Sequence, residues 1–450
     1  MVEHQGMVGH GDGTSPHLTA GRTGNAILLP RAGLFGRSHI HMSWDPRALS
    51  SRFLRVTLHG RYRPEIDGLR FIAIAFVLIG HLIERTERAV ALRHPLTSAE
   101  EWLSFLVPKA TTGVLLFFTI SGYILGLQFL RQEEKGQRFD YRSYLFRRAS
   151  RIAPPYYLVL LLGFLALTIG GYHPELMKMG QTGLPLERSV LVSLLFVHGI
   201  VFGMLPQAFP PGWSLEVEIQ FYIVAPLLFM LMMRGQGAGR SGQRTQWMKW
   251  LVFGASFAAM AACTILLGKV PGYYLSLARF LPFFILGPLL LLLVGRSDGD
   301  QPASRSSDIV GFAALALLAA SGIVQNVAEG WLPVTMLDAV RLVAISGMFI
   351  GAVRGRAFRA MCSLRWVCIL GGACFSLYLC HLQVMQVMTP LVMRLIPTDG
   401  LATSYAVACV VQLPVVVAVS MVFYLLVERP FMKGFGPASR GADQPVAGVR

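Results

Sequence analysis

Ten apolar segments of membrane-spanning length constrain this chain more than any other feature of its sequence. A helix rises about 1.5 Å per residue, so about 20 apolar residues cross the hydrocarbon core of a bilayer. We therefore predict an all-α, polytopic integral membrane bundle of about ten transmembrane helices. The predicted spans are 68–88, 112–130, 152–171, 217–233, 250–268, 276–295, 309–325, 335–353, 367–393 and 404–427.

An eleventh apolar run, 189–205, does not fit this alternation. If it crossed the membrane, the basic segment 234–249 would move to the outside, against the tendency of Lys and Arg to stay in the cytoplasm. We therefore predict that 189–216 is an outside or re-entrant element. Lys and Arg then concentrate in the loops of one side, which predicts that both termini are cytoplasmic.

The composition supports a membrane protein, because 54% of the 450 residues are apolar and only 14% are charged. An excess of 40 Lys and Arg over 24 Asp and Glu gives a net charge of +16. In a soluble domain this charge would suggest nucleic acid, but here it follows the loops, and no nucleic-acid partner is expected. Most cysteines lie inside apolar segments, so we predict neither a disulfide framework nor a metal site.

The chain divides into three predicted parts. Residues 1–60 are rich in Gly, His, Arg and Ser without apolar periodicity, which predicts a flexible basic cytoplasmic tail. Residues 61–431 form the transmembrane domain, and 432–450 form a short cytoplasmic tail. Since no soluble domain follows the last span, we expect function to reside in the bundle and its loops.

Arg70 and His81 are the ionisable residues of the apolar stretch 68–81, which begins the first predicted span. Eleven helical steps return to within about 20° of the same face and rise about 16 Å, so both side chains face one direction at different depths. Ionisable groups at depth are expensive and mark functional sites. The alternatives are an interfacial anchor for Arg70 and a packing residue for His81.

The segment FRRASR, 146–151, places Arg147, Arg148 and Arg151 at the start of the third predicted span. At this spacing the three guanidinium groups can converge on a phosphate. The alternative is a topogenic anchor, which any strongly basic loop provides.

The motifs of the chain resemble, in order, those of the membrane-bound acyltransferase-3 family. They are RPEIDGLRFIAIAFVLIGH (63–81), GVLLFFTISGYILG (113–126), FRRASRIAPPYY (146–157), GWSLEVEIQFYIVAP (212–226), FSLYLCHLQV (375–384) and ERPF (428–431). The resemblance extends over nearly the whole chain after the tail.

This resemblance implies transfer of an acyl group, commonly acetyl, from cytoplasmic acyl-CoA to a hydroxyl of a glycan, a lipid-linked sugar or a small molecule. It also implies a multi-pass protein of the bacterial inner membrane that needs no metal. Some family members carry an additional outside esterase-like domain. This chain shows none, so we expect the bundle itself to complete the transfer to a carbohydrate or other acceptor.

Acyl transfer to an alcohol requires removal of the hydroxyl proton, and imidazole has a suitable pKa near neutral pH. We therefore predict His81 as the general base. A transient acyl-histidine at the same position remains the alternative. Arg70 and the three arginines of FRRASR are predicted to bind the phosphates of coenzyme A.

Glu218 matches the family's Val-Glu position and is predicted to be catalytic, either by hydrogen bonding the acceptor hydroxyl or by tuning His81. The alternative is a structural role at the entry of its helix. Trp213, Tyr378 and His381 are predicted to line the acceptor path, and His381 matches a family histidine. The alternatives are an interfacial aromatic for Trp213 and a hydrogen bond to a neighbouring helix for His381. Ser121 and Gly122 are predicted to be packing residues, as small residues in spans commonly are.

A transporter or channel that uses the same charged residues is the competing class of protein. Many transporters contain two related halves, and this chain shows no such duplication. Thioester-dependent turnover would separate the two classes, because transport leaves the solute unchanged.

Overall fold

The computed structural model describes residues 62–137, 139–169, 184–233, 242–268, 270, 272–294, 303–327, 331–396 and 400–433. The predicted tail 1–60 lies outside these residues, as does 432–450 apart from its first two positions. The division of the chain into tails and a transmembrane domain therefore stays a prediction.

Sixteen α-helices follow one another in the described residues, which contain no β-strand. They are α1 Pro64–Ala91, α2 Ser98–Phe105, α3 Thr111–Glu134, α4 Tyr141–Thr168, α5 Leu186–Leu194, α6 His198–Phe202, α7 Gly212–Met233, α8 Gly242–Leu267, α9 Leu277–Val294, α10 Arg305–Val324, α11 Trp331–Arg354, α12 Ala357–Cys362, α13 Arg365–Gly372, α14 Cys374–Leu395, α15 Leu401–Phe423 and α16 Arg429–Lys433.

Ten of these helices within the described residues are long and apolar enough to cross a membrane, which confirms the all-helical polytopic prediction. They are α1, α3, α4, α7, α8, α9, α10, α11, α14 and α15. The apolar parts of these spans differ in how far the rest of the protein buries them. In α3 and in Tyr273–Val294, which contains α9, 72% of the apolar part is buried, whereas in Trp250–Leu267, within α8, only 17% is buried. The first two therefore form the centre of the bundle, and α8 lies at its lipid-facing edge.

Close contact between α3 and α9 depends on two glycines. A Cβ atom on Gly122 would lie 2.0 Å from the carbonyl oxygen of Phe284, and one on Gly287 would lie 2.2 Å from the Tyr123 nitrogen. Only glycine permits backbones to approach so closely. The predicted packing role of Gly122 is thereby confirmed.

The run 189–205 does not form a spanning helix. It forms two short helices, α5 and α6, which are far below membrane-spanning length. The buried Glu216 attaches this element to α7, because its Oε2 accepts a 2.8 Å hydrogen bond from the Gly199 nitrogen. His198 is also buried, and its Nε2 lies 2.9 Å from the Ser189 hydroxyl. Burial lowers the pKa of His198 and so favours its neutral form.

Local sequence signals set the start of the helix that carries FRRASR. Asp140 caps α4, accepting hydrogen bonds from the backbone nitrogens of Arg142 at 3.0 Å and Ser143 at 3.3 Å. Hydrogen bonds from the side chain and backbone of Ser143, and from Arg142, lower the pKa of Asp140. The cap holds the arginine motif at the first turns of a span.

The predicted single span 367–393 is wrong in one respect, because it is broken at Ala373 into α13 and α14. The apolar run continues through Gly371 and Gly372, so hydropathy alone shows no boundary there. A Cβ on Gly371 would lie only 1.9 Å from the Asp67 carbonyl oxygen. The glycines therefore allow α13 to pack directly on α1, and the chain then turns into α14.

Candidate active site

A cavity of about 120 Å³ lies between α1, α3, α4, α7 and α14, at the end of the bundle where α1 begins. An engineered protein cavity of about 150 Å³ holds one benzene molecule, so this space accommodates a small group rather than a nucleotide. Apolar residues form most of its wall. The polar and charged lining residues are Arg70, Ser121, Arg148, Arg151, Ser214, Glu218, Tyr222 and Tyr378.

The structure brings two arginines of the FRRASR motif to this cavity, Arg148 and Arg151. Arg147 is exposed and does not line it. Arg148 donates a hydrogen bond to Gln128, and its guanidinium carbon lies 5.6 Å from the ring centroid of Tyr222. Stacking and hydrogen bonding thus fix the direction of this cation.

Arg70 reaches the same cavity from α1, which joins the first-span signature to the FRRASR motif. Its Nη1 lies 2.5 Å from Asp67 Oδ1, one turn earlier on the helix. Among the residues that line the cavity, three are arginines and one, Glu218, is a carboxylate. This end of the bundle therefore attracts an anionic ligand.

Glu218 lies on the cavity wall in a small hydrogen-bond network. Its Oε1 accepts from the Ser121 hydroxyl at 2.8 Å and from the Tyr222 hydroxyl at 2.5 Å. Ser121 was expected to serve only packing, so this polar contact corrects that expectation. Tyr222 lies four residues after Glu218 on one helical face, a spacing from which its participation could have been predicted.

Of the three residues predicted for the acceptor path, only Tyr378 lines the cavity. Its hydroxyl donates to the Pro211 carbonyl at 2.6 Å and lies 2.7 Å from the Ser214 hydroxyl. Trp213 packs behind the wall, with its ring 5.4 Å from Phe280.

His81 and His381 lie outside the cavity lining but next to each other, with ring centroids 5.3 Å apart. Tyr378 connects the two regions, because its ring centroid is 5.7 Å from that of His381. The cavity, Tyr378, His381 and His81 therefore follow one another through the bundle. Sequence analysis identified both histidines but not their contact.

The hydrogen-bond partners of the two histidines assign their tautomers. His381 is fully buried, and its Nδ1 lies 2.7 Å from the Tyr378 carbonyl oxygen. A carbonyl only accepts, so Nδ1 carries the proton and Nε2 holds a lone pair, for which the described residues provide no hydrogen-bond partner. His81 Nδ1 lies 3.4 Å from Glu84 Oε2, which leaves its Nε2 as the basic atom in the same way.

Comparison with known proteins agrees with this architecture. Residues 63–425 match the acyltransferase domain of the acyltransferase-3 family. The peptidoglycan O-acetyltransferase OatA of Listeria monocytogenes is 28% identical over 193 residues, which cover 40% of this chain and 26% of the relative. The O-acetyltransferase OatA of Staphylococcus aureus is 23% identical over 340 residues, which cover 72% and 51%.

The chain thus spans about half or less of the length of these relatives. No solved structure matches it. The match to the family covers most of the chain, and it includes the cavity and both histidines. This protein is therefore a member of the acyltransferase-3 family of membrane acyltransferases.

Proposed function

We propose that this protein is an O-acyltransferase that moves an acetyl group from cytoplasmic acetyl-CoA to a hydroxyl of a glycan outside the bacterial inner membrane. The observation that carries the proposal is the arginine-lined cavity, which Tyr378 connects to two histidines with basic Nε2 atoms. The names of the relatives favour acetyl as the acyl group and peptidoglycan as the acceptor class. The distribution of Lys and Arg supports cytoplasmic positions for both termini.

The donor binds at the end of the bundle that carries the cavity arginines. Arg70, Arg148 and Arg151 contact the phosphates of coenzyme A, since guanidinium groups bind phosphate through several charge-assisted hydrogen bonds. Arg147, exposed on the same helix, contributes at the mouth. The small cavity then receives the arm of the donor, and the thioester end extends past Tyr378 towards the two histidines.

His81 acts as the general base. The acceptor oxygen attacks the thioester carbonyl carbon while His81 Nε2 takes the hydroxyl proton. The carbon–sulfur bond then breaks, and the leaving thiolate receives that proton, so the products are an ester and coenzyme A. Glu84 holds the Nδ1–H of His81 and stabilises the imidazolium that forms.

The remaining site residues bind and orient the two substrates. His381 Nε2 accepts a hydrogen bond from a second hydroxyl of the acceptor, Tyr378 forms the adjoining wall, and Trp213 supports the wall from behind at Phe118. Glu218 lies with Ser121 and Tyr222 at the cavity, so it acts on the group bound there rather than on His81. A transient acyl-His81 is the alternative route and predicts ping-pong kinetics.

The test uses the full-length protein in proteoliposomes, with radiolabelled acetyl-CoA as donor and soluble peptidoglycan fragments as acceptor. Wild type is expected to form base-labile acetyl ester and free coenzyme A in equal amounts, and His81→Ala is expected to form neither. A wild-type protein that shows no thioester-dependent turnover, and instead moves an unchanged solute, would overturn the proposal.

A further inference from the structure

The break at Ala373 leaves the first turn of α14 in need of hydrogen-bond partners. The first four N–H groups of any helix have no partner within that helix, and inside a membrane such groups are costly. Ala373, at the N-cap position, provides no side-chain hydrogen bond. The partner must therefore come from elsewhere in the fold.

Glu428 is that partner. Its Oε2 lies 3.2 Å from the Ser376 nitrogen and 2.6 Å from the Ser376 hydroxyl, and both groups donate to it. The Glu428 side chain is fully buried, and Ser376 is the third residue of α14. A carboxylate at this position also complements the positive end of the helix dipole.

A π-helical turn, Tyr424–Glu428, brings the carboxylate to this position. A π-turn inserts one residue into an α-helix, which rotates all following side chains by about 100° relative to an uninterrupted helix. Without the turn, Glu428 would face a different direction. Single π-turns of this kind occur frequently at functional sites.

We call the contact of Glu428 with Ser376 the clamp. The helix it holds, α14, carries residues of both parts of the proposed site. Tyr378, two residues after Ser376, lines the donor cavity, and His381, five residues after it, contacts His81. Any rotation or sliding of α14 would move both side chains together. Misplacement of a reacting group by about 1 Å costs on the order of 100-fold in rate.

We propose that Glu428 is a positioning residue for acyl transfer, whose carboxylate holds Ser376 and thereby keeps Tyr378 at the cavity and His381 against His81. This inference rests on the proposed function for its kinetic consequence. It gives a role to the ERPF motif and to the serine of FSLYLCHLQV, neither of which takes part in the chemistry proposed above.

The first experiment compares Glu428→Gln with Glu428→Met in the full-length protein. The amide oxygen of Gln still accepts from Ser376, whereas Met has similar length and no acceptor oxygen. We expect Glu428→Met to lower kcat by about 30- to 100-fold with a change of less than about threefold in the Kd for coenzyme A, and Glu428→Gln to stay within about fivefold of wild type. Equal loss in both variants would show a need for the charge itself and would overturn the clamp.

Glu100 offers a matched control, because its Oε1 accepts a 2.8 Å hydrogen bond from the Leu401 nitrogen at the start of α15. Glu100→Met removes the same kind of contact from a helix that carries none of the predicted site residues. We expect its kcat to equal that of wild type. A loss as large as that of Glu428→Met would assign both effects to general destabilisation and would overturn the positioning role.

A second measurement does not depend on turnover. Cys374 lines the cavity and lies in the first turn of α14, so its alkylation rate, followed by mass spectrometry of the corresponding peptide, reports the position of that turn. The rate is expected to change at least about threefold in Glu428→Met and to remain unchanged in Glu428→Gln. An unchanged rate in Glu428→Met would refute the clamp, whether or not the wild type transfers acetyl groups.

Discussion

The arginine-lined cavity and the histidine pair differ in how their polar groups are held. In the cavity, Arg148 is held by Gln128 and two aromatic rings, and Glu218 is held by two hydroxyls. In the pair, each histidine makes its hydrogen-bond contact at Nδ1, and the described residues provide no hydrogen-bond partner for the Nε2 of His381. A group that binds a charged ligand must be oriented beforehand, whereas a base must keep one lone pair available. Under the proposed function, binding and proton transfer therefore belong to separate parts of the bundle.

The largest expected effect follows from removing the base. His81→Ala should lower kcat by about 10²- to 10⁴-fold, because general-base catalysis contributes that much. The affinity for coenzyme A should stay unchanged, since His81 does not line the cavity. Acetyl-ester formation and coenzyme A binding are measured on the same preparation.

His94→Ala is the control for this experiment, because His94 is exposed and its Nδ1 contacts the Pro95 carbonyl. It should behave as wild type. Full turnover in His81→Ala would transfer the role of base to His381.

The second-largest expected effect is on the KM for acetyl-CoA and comes from the cavity arginines. Arg151→Ala should raise the KM for acetyl-CoA by about 10- to 100-fold with little change in kcat, because a hydrogen bond to a charged group contributes about 1.5–3 kcal/mol. Arg147→Ala changes the same residue type in the same motif and should raise KM less than about threefold, because Arg147 does not line the cavity.

A short acetyl thioester without phosphates gives the internal control. All these arginine variants should use it as well as wild type does. An Arg147→Ala variant as impaired as Arg151→Ala would mean that the motif attracts the donor through its net charge and not through the cavity.

A smaller effect is expected at Glu84, which orients His81. Glu84→Gln keeps an acceptor but removes its charge, so kcat should fall by about three- to tenfold, the difference between a charged and a neutral hydrogen bond. Glu87→Gln makes the same change one turn further along α1 and should leave kcat unchanged. Equal effects on kcat would indicate a general electrostatic contribution from this end of α1.

The smallest effect belongs to Glu100, which lies in neither region. Hydrogen bonds from the nitrogens of Thr97 and Leu401, together with one from the Thr97 side chain, lower its pKa. A lowered carboxyl pKa stabilises the fold above the unfolded value of about 4.3, and this contribution disappears as the pH falls. Glu100→Gln should therefore lower the thermal midpoint slightly at pH 7 and not at pH 3. A difference in midpoint that is constant with pH would contradict this linkage.

Features encoded over short stretches could be predicted from the sequence. Apolar length gives the spans, and helical spacing gives the approach of Arg148 and Arg151. The break between α13 and α14 was not predicted, because its position depends on the contact of Gly371 with α1 rather than on hydropathy. The hydrogen bond from Ser121 to Glu218 was not predicted for a similar reason, since Glu218 lies on another helix.

By itself, the sequence determined that this protein is a polytopic helical membrane protein with an arginine-rich motif at the start of a span and with histidines at depth, because hydropathy, charge and helical spacing are local properties. Only the tertiary structure decided that Arg70 joins Arg148 and Arg151, that His381 lies against His81, and that Glu428 accepts a hydrogen bond from Ser376 on the helix that carries His381. Such contacts join residues far apart in the chain. They depend on how helices pack, which no local pattern specifies.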